Sequence, residues 1–363
     1  MIVLFVSSLL ALLITYKGSK NEIPWGLEIA FGLITFIAAI HYNYGNDYAE
    51  YEFFFEKNAL KDFSWNALWN GTYHKEWGWA LLNFIFAPLG FPVLIASLSI
   101  VQNYAYYNVI KKYVKQEWWT FAVFLYLFQA NLYVLNMSMR RQGFAASLIV
   151  LILPWLLSNN AYLLLLSSLI LWFATKIHSS ALFVVPFLFL LFVPLKYLKW
   201  WGVFSIIAYL YMFFNSTVLI YIVELFLSSE NFAGYINTYG IRNSSSYGIG
   251  YVLLTIPFIL SAIYLLYEQK ECMSKRIVAL CMAGSMLSPF GLMNPMINRI
   301  MMYFLPFSII SYPFVYEMFY GIKRYFLLSL IILVICFGYY SFFFDRVWIE
   351  HFLQFHSIFE VIL

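Results

Sequence analysis

Charged side chains are scarce in this sequence. Only 10% of its 363 residues are Asp, Glu, Lys or Arg, whereas 63% are hydrophobic and the mean hydropathy is +0.79. Soluble domains carry roughly 25% charged residues, so this composition excludes a soluble globular protein. The sequence therefore predicts a polytopic membrane protein, and it carries no signature of a protein that binds nucleic acid.

Cysteine is nearly absent as well. The three cysteines, Cys272, Cys281 and Cys336, are scattered along the chain without the spacing of metal ligands. This count and spacing argue against a disulfide framework and against a cysteine-based metal site. We expect no disulfide, no metal and no cofactor.

Long apolar runs predict about twelve membrane spans, each near the roughly 20 residues that a bilayer requires. The predicted spans are 1–16, 24–40, 78–110, 118–136, 142–157, 161–175, 180–195, 201–227, 249–267, 277–290, 299–320 and 325–343. The third is too long for one straight helix and contains Pro88 and Pro92, so we expect it to be broken or re-entrant. The first lacks the features of a cleaved signal peptide and is expected to be retained. The predicted fold is an all-α transmembrane helical bundle that forms a single membrane domain over residues 1–363.

Lysine and arginine divide unevenly between the two sides of the predicted membrane. If the link 17–22 is cytoplasmic, ten of the twelve basic residues on that side are Lys, whereas five of the nine on the other side are Arg. The outer side also carries the longer loops, 41–77, 228–248 and 290–298. The C-terminal segment 346–363 is expected to lie as an amphipathic helix along the outer interface. We therefore expect the working face outside, with the lysines as topology anchors.

Cationic residues stand at or just before four predicted helix starts on the outer side, near residues 142, 180, 249 and 299. They are Arg140 with Arg141, His178, Arg242 and Arg299. A cation at a helix N-terminus is unfavourable by about 0.3–1 kcal/mol, so helix stability does not explain these residues. Helix-start N–H groups and guanidinium groups both bind phosphate. The pattern predicts an anion-binding funnel for a lipid-linked phosphate or diphosphate, and the alternative is that each arginine reaches lipid headgroups.

The two adjacent arginines cannot share one environment. Consecutive helical residues point about 100° apart, so one of the pair faces the cavity while the other reaches the headgroups. The following Gln142 favours Arg141 as the inward residue. We expect Arg141, with Arg140 beside it, to hold a diphosphate.

The segment GNDYAEY, residues 45–51, combines a turn glycine, an acid and two tyrosines after the second span. Asp47 is a candidate general base for a sugar hydroxyl. Tyr48 and Tyr51 are candidates for stacking on sugar faces or for hydrogen bonds to hydroxyl groups. The alternative is a loop that folds back with its rings on the membrane interface and its acids in water.

His178 lies between two apolar runs in the sequence ATKIHSSALFVVP. Three roles fit it: a general base, a hydrogen-bond donor to a bound anion, or an interfacial residue that caps a turn with Ser179 and Ser180. All three roles stay open on the sequence alone.

Four segments resemble, in this order, the landmarks of the EpsG-type branch of Wzy-like polysaccharide polymerases. They are GNDYAEY, NMSMRRQGFAASLIVL, FATKIHSSALFVVPF and NRIMMYFLPFSII, which together extend over roughly 45–305. The resemblance implies that the functional cavity contains Asp47, Tyr48, Tyr51, Arg141, Gln142, His178, Arg299 and Tyr303. Arg140 and Arg242 have no firm counterpart in the family pattern, so their roles rest on the physical argument alone.

The resemblance implies a GT-C-like glycosyltransferase on the outer face of the bacterial plasma membrane. Such an enzyme moves a growing glycan from undecaprenyl diphosphate onto the terminal sugar of another lipid-linked repeat unit. Fixed arginines would stabilise the departing diphosphate without a metal, and a chain-length regulator and a flippase are candidate partners. The alternatives are an O-antigen ligase-type transferase and a flippase or transporter for a lipid-linked anion. Transport predicts charges distributed through the membrane depth, which the nearly uncharged middle parts of the spans disfavour.

Overall fold

The computed structural model describes residues 2–129, 132–158, 160–214, 249–267, 272–288, 299–344 and 350–362. These residues are overwhelmingly α-helical, which confirms the all-α prediction. The chain divides into two compact units: unit 1 comprises residues 1–182 and 335–363, and unit 2 comprises residues 183–334. The single membrane domain over 1–363 stays a prediction.

Apolar helices of uneven length build both units. In chain order, the helices that begin before residue 178 are α1 (Ile2–Ser19), α2 (Gly26–Ile40), α3 (Tyr48–Ala59), α4 (Trp65–Trp69), α5 (Trp77–Phe86), α6 (Phe91–Tyr113), α7 (Trp119–Phe128), α8 (Tyr133–Ser138), α9 (Arg140–Leu156) and α10 (Ala161–Ile177). Those that follow are α11 (Val185–Leu188), α12 (Leu195–Phe214), α13 (Ile249–Leu266), α14 (Cys272–Met286), α15 (Ser308–Glu317), α16 (Gly321–Phe344), α17 (Glu350–Leu353) and α18 (Phe359–Ile362). Short 3₁₀ helices cover Gln116–Trp118, Ser179–Val184, Phe189–Leu191 and Leu305–Phe307, and two short strands are β1 (His41–Tyr42) and β2 (His356–Ser357).

The predicted third span is broken, as its proline and glycine residues indicated. Helices α5 and α6 meet at an angle of 118°. Gly90 has a φ of 89°, a left-handed backbone conformation that glycine adopts without steric cost. Pro92 lies in the first turn of α6, where its missing N–H costs nothing.

Two other predicted spans are not continuous helices. The span 118–136 divides into α7 and α8, because Gln129 is extended at the end of α7. The span 180–195 is a series of short helical pieces: a 3₁₀ helix, α11 and a second 3₁₀ helix. Pro186 lacks the N–H that a continuing helix requires and starts α11 instead. Each segment thus contains a break that the sequence did not predict, and its role as one membrane span stays a prediction.

By length and hydropathy, two helices among the described residues are able to cross a membrane. They are α1 and the part Gly321–Tyr340 of α16, and a third span results if the bent pair of α5 and α6 counts as one. Shorter apolar helices such as α2 and α10 fall below that length. The prediction of about twelve spans stays a prediction.

The C-terminal segment does not form the predicted continuous interfacial helix. Helix α17 ends at Leu353, and His356 and Ser357 then pair antiparallel with Tyr42 and His41. This pairing interrupts the helix, because a strand residue directs its backbone N–H and C=O groups to its neighbour strand. Arg346, which the prediction placed on the same helix face, lies outside the described residues.

The end of unit 1 that contains the link between α1 and α2 carries Lys17, Lys20, Lys111, Lys112 and Lys115. Lys111 at the end of α6 lies 2.9 Å from Glu28 at the start of α2, and Tyr107 also donates to Glu28. The amide of Gln116 donates to the carbonyl of Gly18, which joins two Lys-containing links. Two of the links that charge counting assigned to one side of the membrane are thus in contact at one end of the unit.

Unit 2 is held by helices α12, α13 and α14, whose contacts include polar groups. The Trp201 indole donates to the carbonyl of Ala279 at 3.0 Å. The Tyr209 hydroxyl lies 2.8 Å from the Thr255 hydroxyl. These hydrogen bonds satisfy polar groups between otherwise apolar helices.

Candidate functional site

The chain turns sharply between β1 and α3, and this turn requires glycine. Gly45 has a φ of 86°, and a Cβ atom there would lie 2.3 Å from the Ser138 side chain. Its N–H donates to the carbonyl of His351, and the N–H of Asn46 donates to the Ser138 hydroxyl. The predicted turn glycine is therefore confirmed, and it starts the helix that carries the candidate site.

Helix α3 directs one face into unit 1. Tyr48, Tyr51 and Phe55 recur at helical spacing and are all buried. The Tyr48 ring packs edge-on against His41 and Phe91 at centroid distances of 5.4 and 5.3 Å. The alternative of a loop with its tyrosines on the membrane interface is wrong, because these rings pack into protein. The contacts of both tyrosines with a glycan stay a prediction.

Arg141 is the centre of a polar cluster at this end of unit 1. Its Nη1 atom lies 2.9 Å from Oε2 of Glu76 and 2.8 Å from Nε2 of His74. Its guanidinium group lies over the Tyr51 ring, 5.3 Å from the centroid. A cation over an aromatic face is attracted by the ring quadrupole. Arg141 is thus held by a carboxylate, an imidazole and a ring.

His74 faces hydrogen-bond donors on both of its ring nitrogens. The backbone N–H of Glu76 points at Nδ1 at 2.9 Å, while Arg141 points at Nε2. Burial first, and then the nearby Arg141, lower the pKa of His74 below its ordinary value, against the opposing charge of Glu76. A neutral imidazole accepts a hydrogen bond at only one nitrogen, so the two donors compete for it.

Glu76 divides its two carboxylate oxygens between two parts of the chain. Oε2 accepts from Arg141, whereas Oε1 accepts from the backbone N–H of Ser179 at 2.7 Å and from its hydroxyl at 3.0 Å. Burial alone would raise the pKa of Glu76, but His178, Arg141 and the Ser179 hydrogen bonds together lower it. Glu76 is therefore ionised at neutral pH, although its side chain is only 8% exposed.

A glycine brings Glu76 to Ser179. A Cβ atom on Gly78, in the first turn of α5, would lie 2.7 Å from the backbone of Lys176 near the end of α10. This close approach of backbones places Glu76, immediately before α5, beside Ser179, just beyond α10. The ring of His178 lies 4.0 Å from the Glu76 carboxylate.

His178 makes the contacts of a turn cap. The N–H of Ser180 donates to His178 Nδ1 at 3.3 Å, and the Ser180 hydroxyl lies 2.7 Å from the same atom. The capping role that the sequence left open is therefore present in the structure. The roles as general base and as anion donor stay predictions, and the position next to Glu76 keeps His178 within the cluster.

Asp47 joins the same cluster through Tyr51. The Tyr51 hydroxyl donates to Oδ2 of Asp47 at 3.3 Å. The chain of contacts from Asp47 through Tyr51, Arg141 and Glu76 to Ser179 connects segments that are far apart in the sequence. We call these five residues, with His74 and His178, the Arg141 cluster.

Arg140 points away from the cluster and into the core. Its guanidinium donates to the Ser99 hydroxyl and to the carbonyl of Ala38, each at 3.0 Å, and lies against the ring of His41. Arg140 is only 1% exposed, so the expectation that one arginine of the pair reaches the headgroups is wrong. The roughly 100° between helical neighbours does separate the two arginine side chains, but Arg140 joins α9 to α2 and α6. Burial, with the Arg140 charge, lowers the pKa of His41 well below its ordinary value.

Three of the remaining predicted site residues lie in the part of the chain that the structure describes. Gln142 is buried in unit 1, Tyr303 is buried in unit 2, and Arg299 in unit 2 is partly exposed. Arg242 lies outside the described residues. The diphosphate-binding roles of Gln142, Arg242 and Arg299 and the glycan-binding role of Tyr303 stay predictions.

The predicted helix starts differ in kind from one another. Helix α9 begins at Arg140, as the pattern indicated. Near residue 180, however, the chain forms a 3₁₀ helix over Ser179–Val184 in place of a spanning α-helix, and this part of the prediction is wrong. Nothing in the described residues tests anion binding at the other predicted helix starts, so the four-part anion-binding funnel stays a prediction.

Glu76, His74 and Ser179 are the cluster members that sequence reasoning did not predict as site residues. The loop 41–77 contains six acidic residues, and nothing in their spacing distinguishes Glu76 from the others. The one local signal is Gly78, two residues later, which permits the close approach to α10.

Comparison with known families gives a match over most of the chain. A sequence model described as the EpsG family matches residues 26–355. Searches among curated proteins and among solved structures find no match to this chain. The family match includes every described residue of the Arg141 cluster.

Proposed function

The chain belongs to the EpsG family, a family of polysaccharide polymerase-like membrane proteins, and on that premise we propose that it polymerises lipid-linked oligosaccharide repeat units. In the proposed reaction, a growing glycan leaves undecaprenyl diphosphate and joins the terminal sugar of another undecaprenyl-diphosphate-linked unit. The products are a glycan longer by one unit and a free undecaprenyl diphosphate.

The observation that carries this proposal is the position of Arg141. This position brings the Arg141 cation near the Tyr51 ring and the Asp47 carboxylate at one end of unit 1. A leaving diphosphate gains negative charge in the transition state, and a cation held in advance stabilises that charge differentially. The planar guanidinium also matches the oxygens of a phosphate in a two-point contact.

The proposed reaction forms one bond and breaks another, and a different residue assists each event. Asp47 accepts the proton of the acceptor sugar hydroxyl while the hydroxyl oxygen forms the new bond to the anomeric carbon of the donor glycan. The bond from that carbon to the diphosphate oxygen breaks, and its electron pair leaves with the diphosphate near Arg141. Arg141 is therefore proposed as the diphosphate-binding residue and Asp47 as the general base.

The test of this proposal is the fate of the lipid-linked intermediate. Cells that express Arg141→Ala at normal protein level should accumulate single lipid-linked repeat units and lose polymer. Extraction of the lipid-linked glycans and their separation by length measure this directly. Polymer of normal length in Arg141→Ala would remove Arg141 from the reaction.

We also propose that the Arg141 cluster faces the outside of a bacterial plasma membrane. The end of unit 1 that contains the link 17–22 would then be cytoplasmic, in agreement with the whole-chain count, which assigns twelve Lys and Arg residues to that side and nine to the other. In a cysteine-free background, Asp62→Cys should react with a membrane-impermeant thiol reagent added to intact cells, whereas Lys112→Cys should not. Both positions are exposed. Labelling of position 112 and not of position 62 would invert the orientation.

A further inference from the structure

We propose that the Glu76 carboxylate occupies on Arg141 the position of an anionic group of the substrate, so that a phosphate or diphosphate binds by displacing it. The inference rests on the proposed function, because it takes Arg141 as the anion-binding residue. Glu76 is then a positioning residue that holds Arg141 in place and competes with the incoming anion.

The first support is the division of the Glu76 oxygens. Only Oε2 contacts Arg141, whereas Oε1 is held by both donors of Ser179. If Arg141 turns to another anion, Glu76 retains two hydrogen bonds and is not left as an uncompensated buried charge. Removing an Arg partner from a buried carboxylate is ordinarily expensive, and the Ser179 hydrogen bonds lower that cost.

The second support is the geometry of Arg141 itself. Both Glu76 and His74 contact the same nitrogen, Nη1. The Nε atom of Arg141 is buried and has no hydrogen-bond partner among the described residues. Glu76 therefore uses one point of a fork that is able to make two parallel hydrogen bonds, and a phosphate that engages the fork in two points forms the stronger contact.

The third support is a contact of Arg141 that does not involve Glu76. The Tyr51 ring lies under the guanidinium at 5.3 Å, and a ring contact does not depend on which anion is bound. A neutral His74 accepts at one nitrogen only, so it cannot accept from Arg141 at Nε2 and from the backbone N–H of Glu76 at Nδ1 at the same time. Arg141 is thus anchored by a ring and is free to exchange its acceptors.

An internal competitor has a use in this reaction. The leaving diphosphate must bind Arg141 during transfer but must then depart, and a carboxylate that returns to Arg141 assists its release. Removal of the Glu76 charge should therefore tighten anion binding and slow the release of product. In steady-state kinetics, this predicts a lower KM for the lipid-linked donor together with a lower kcat.

The experiment measures binding of inorganic pyrophosphate to the purified full-length protein in nanodiscs. Glu76→Gln should bind pyrophosphate about tenfold more tightly than the wild type, the size of effect expected when one charge-assisted competitor is removed. Arg141→Gln should lose binding. Glu28→Gln, which removes the carboxylate of the ion pair at the other end of unit 1, should bind as the wild type does. If Glu76→Gln does not fold, Glu76→Asp, whose shorter side chain approaches Arg141 less closely, should show the same tightening by a smaller factor.

The outcomes separate the inference from the proposed function. Equal or weaker pyrophosphate binding in a folded Glu76 variant, with binding lost in Arg141→Gln, would overturn the competitor role and leave Arg141 as the anion site. Undiminished binding in Arg141→Gln, or no binding by the wild type and every variant, would overturn the anion site and both proposals with it. A lower KM with an unchanged kcat would contradict the role of Glu76 in product release.

Discussion

Unit 1 carries an ion pair at each end. The two pairs have the same distance between nitrogen and oxygen but differ in exposure and in surroundings. Glu28 and Lys111 are 2.9 Å apart, with side chains 26% and 44% exposed. Glu76 and Arg141 are also 2.9 Å apart, with side chains 8% and 22% exposed. Exposed pairs contribute only about 0–1 kcal/mol to stability. Buried pairs must be supported by further hydrogen bonds to offset the loss of water.

The surroundings of the two pairs explain the difference. Lys111 lies over the Trp119 ring, and its partner Glu28 accepts a hydrogen bond from Tyr107. The apolar stem of a lysine commonly packs on apolar surface in this way while its charged end stays in water. Around Glu76 and Arg141, in contrast, His74, both donors of Ser179 and the Tyr51 ring converge on a pair that is more deeply buried. The lesson is that distance alone does not identify a functional ion pair, whereas burial together with convergent polar groups does.

The largest expected effect follows from removal of the Asp47 charge. Asp47→Asn keeps the size and most hydrogen bonds of the side chain but removes its charge, so chain extension should fall to background at normal membrane abundance. The matched control is Glu28→Gln, which removes a carboxylate from the lysine-rich end and should leave polymer length unchanged. Polymer length in cells measures both. Normal extension by Asp47→Asn would transfer the role of base to His178 or to another acid of the loop.

A smaller expected effect concerns the contribution of each ion pair to the stability of unit 1. Double-mutant cycles built from Glu76→Gln with Arg141→Gln, and from Glu28→Gln with Lys111→Gln, measure the coupling within each pair. The buried pair should couple by about 1–3 kcal/mol, and the exposed pair by about 0.2–1 kcal/mol. Unfolding free energies from titration with a denaturing detergent provide the values. Equal couplings for the two pairs would show that burial does not distinguish them.

The sequence predicted the parts of the fold that depend on local chemistry. The break before α6 followed from Pro88, Gly90 and Pro92, because their backbone restrictions act within a few residues. The turn at Gly45 followed for the same reason. Helical periodicity, which separates neighbours by about 100°, correctly predicted that Arg140 and Arg141 have different surroundings, whereas the choice of Arg141 as the residue that binds substrate stays a prediction.

The parts that failed depend on contacts between distant segments. Arg140 was expected at the headgroups, but its acceptors are Ser99 and the Ala38 carbonyl, which no local pattern reveals. Glu76 became a site residue only because α5 packs on the end of α10. The segment after residue 353 has an amphipathic pattern, yet its pairing with β1 overrides helix formation, as tertiary contacts often do.

The most direct test of the account is a reciprocal exchange of the two basic residues. In an assay of chain extension with purified protein and lipid-linked repeat units, Arg141→Lys should reduce the rate by about 100-fold, because a lysine keeps the charge but loses the planar fork. Lys111→Arg should extend chains at the wild-type rate. An Arg141→Lys protein that extends chains as fast as the wild type, or a Lys111→Arg protein that fails to do so, would contradict the claim that the Arg141 cluster is the working end of unit 1.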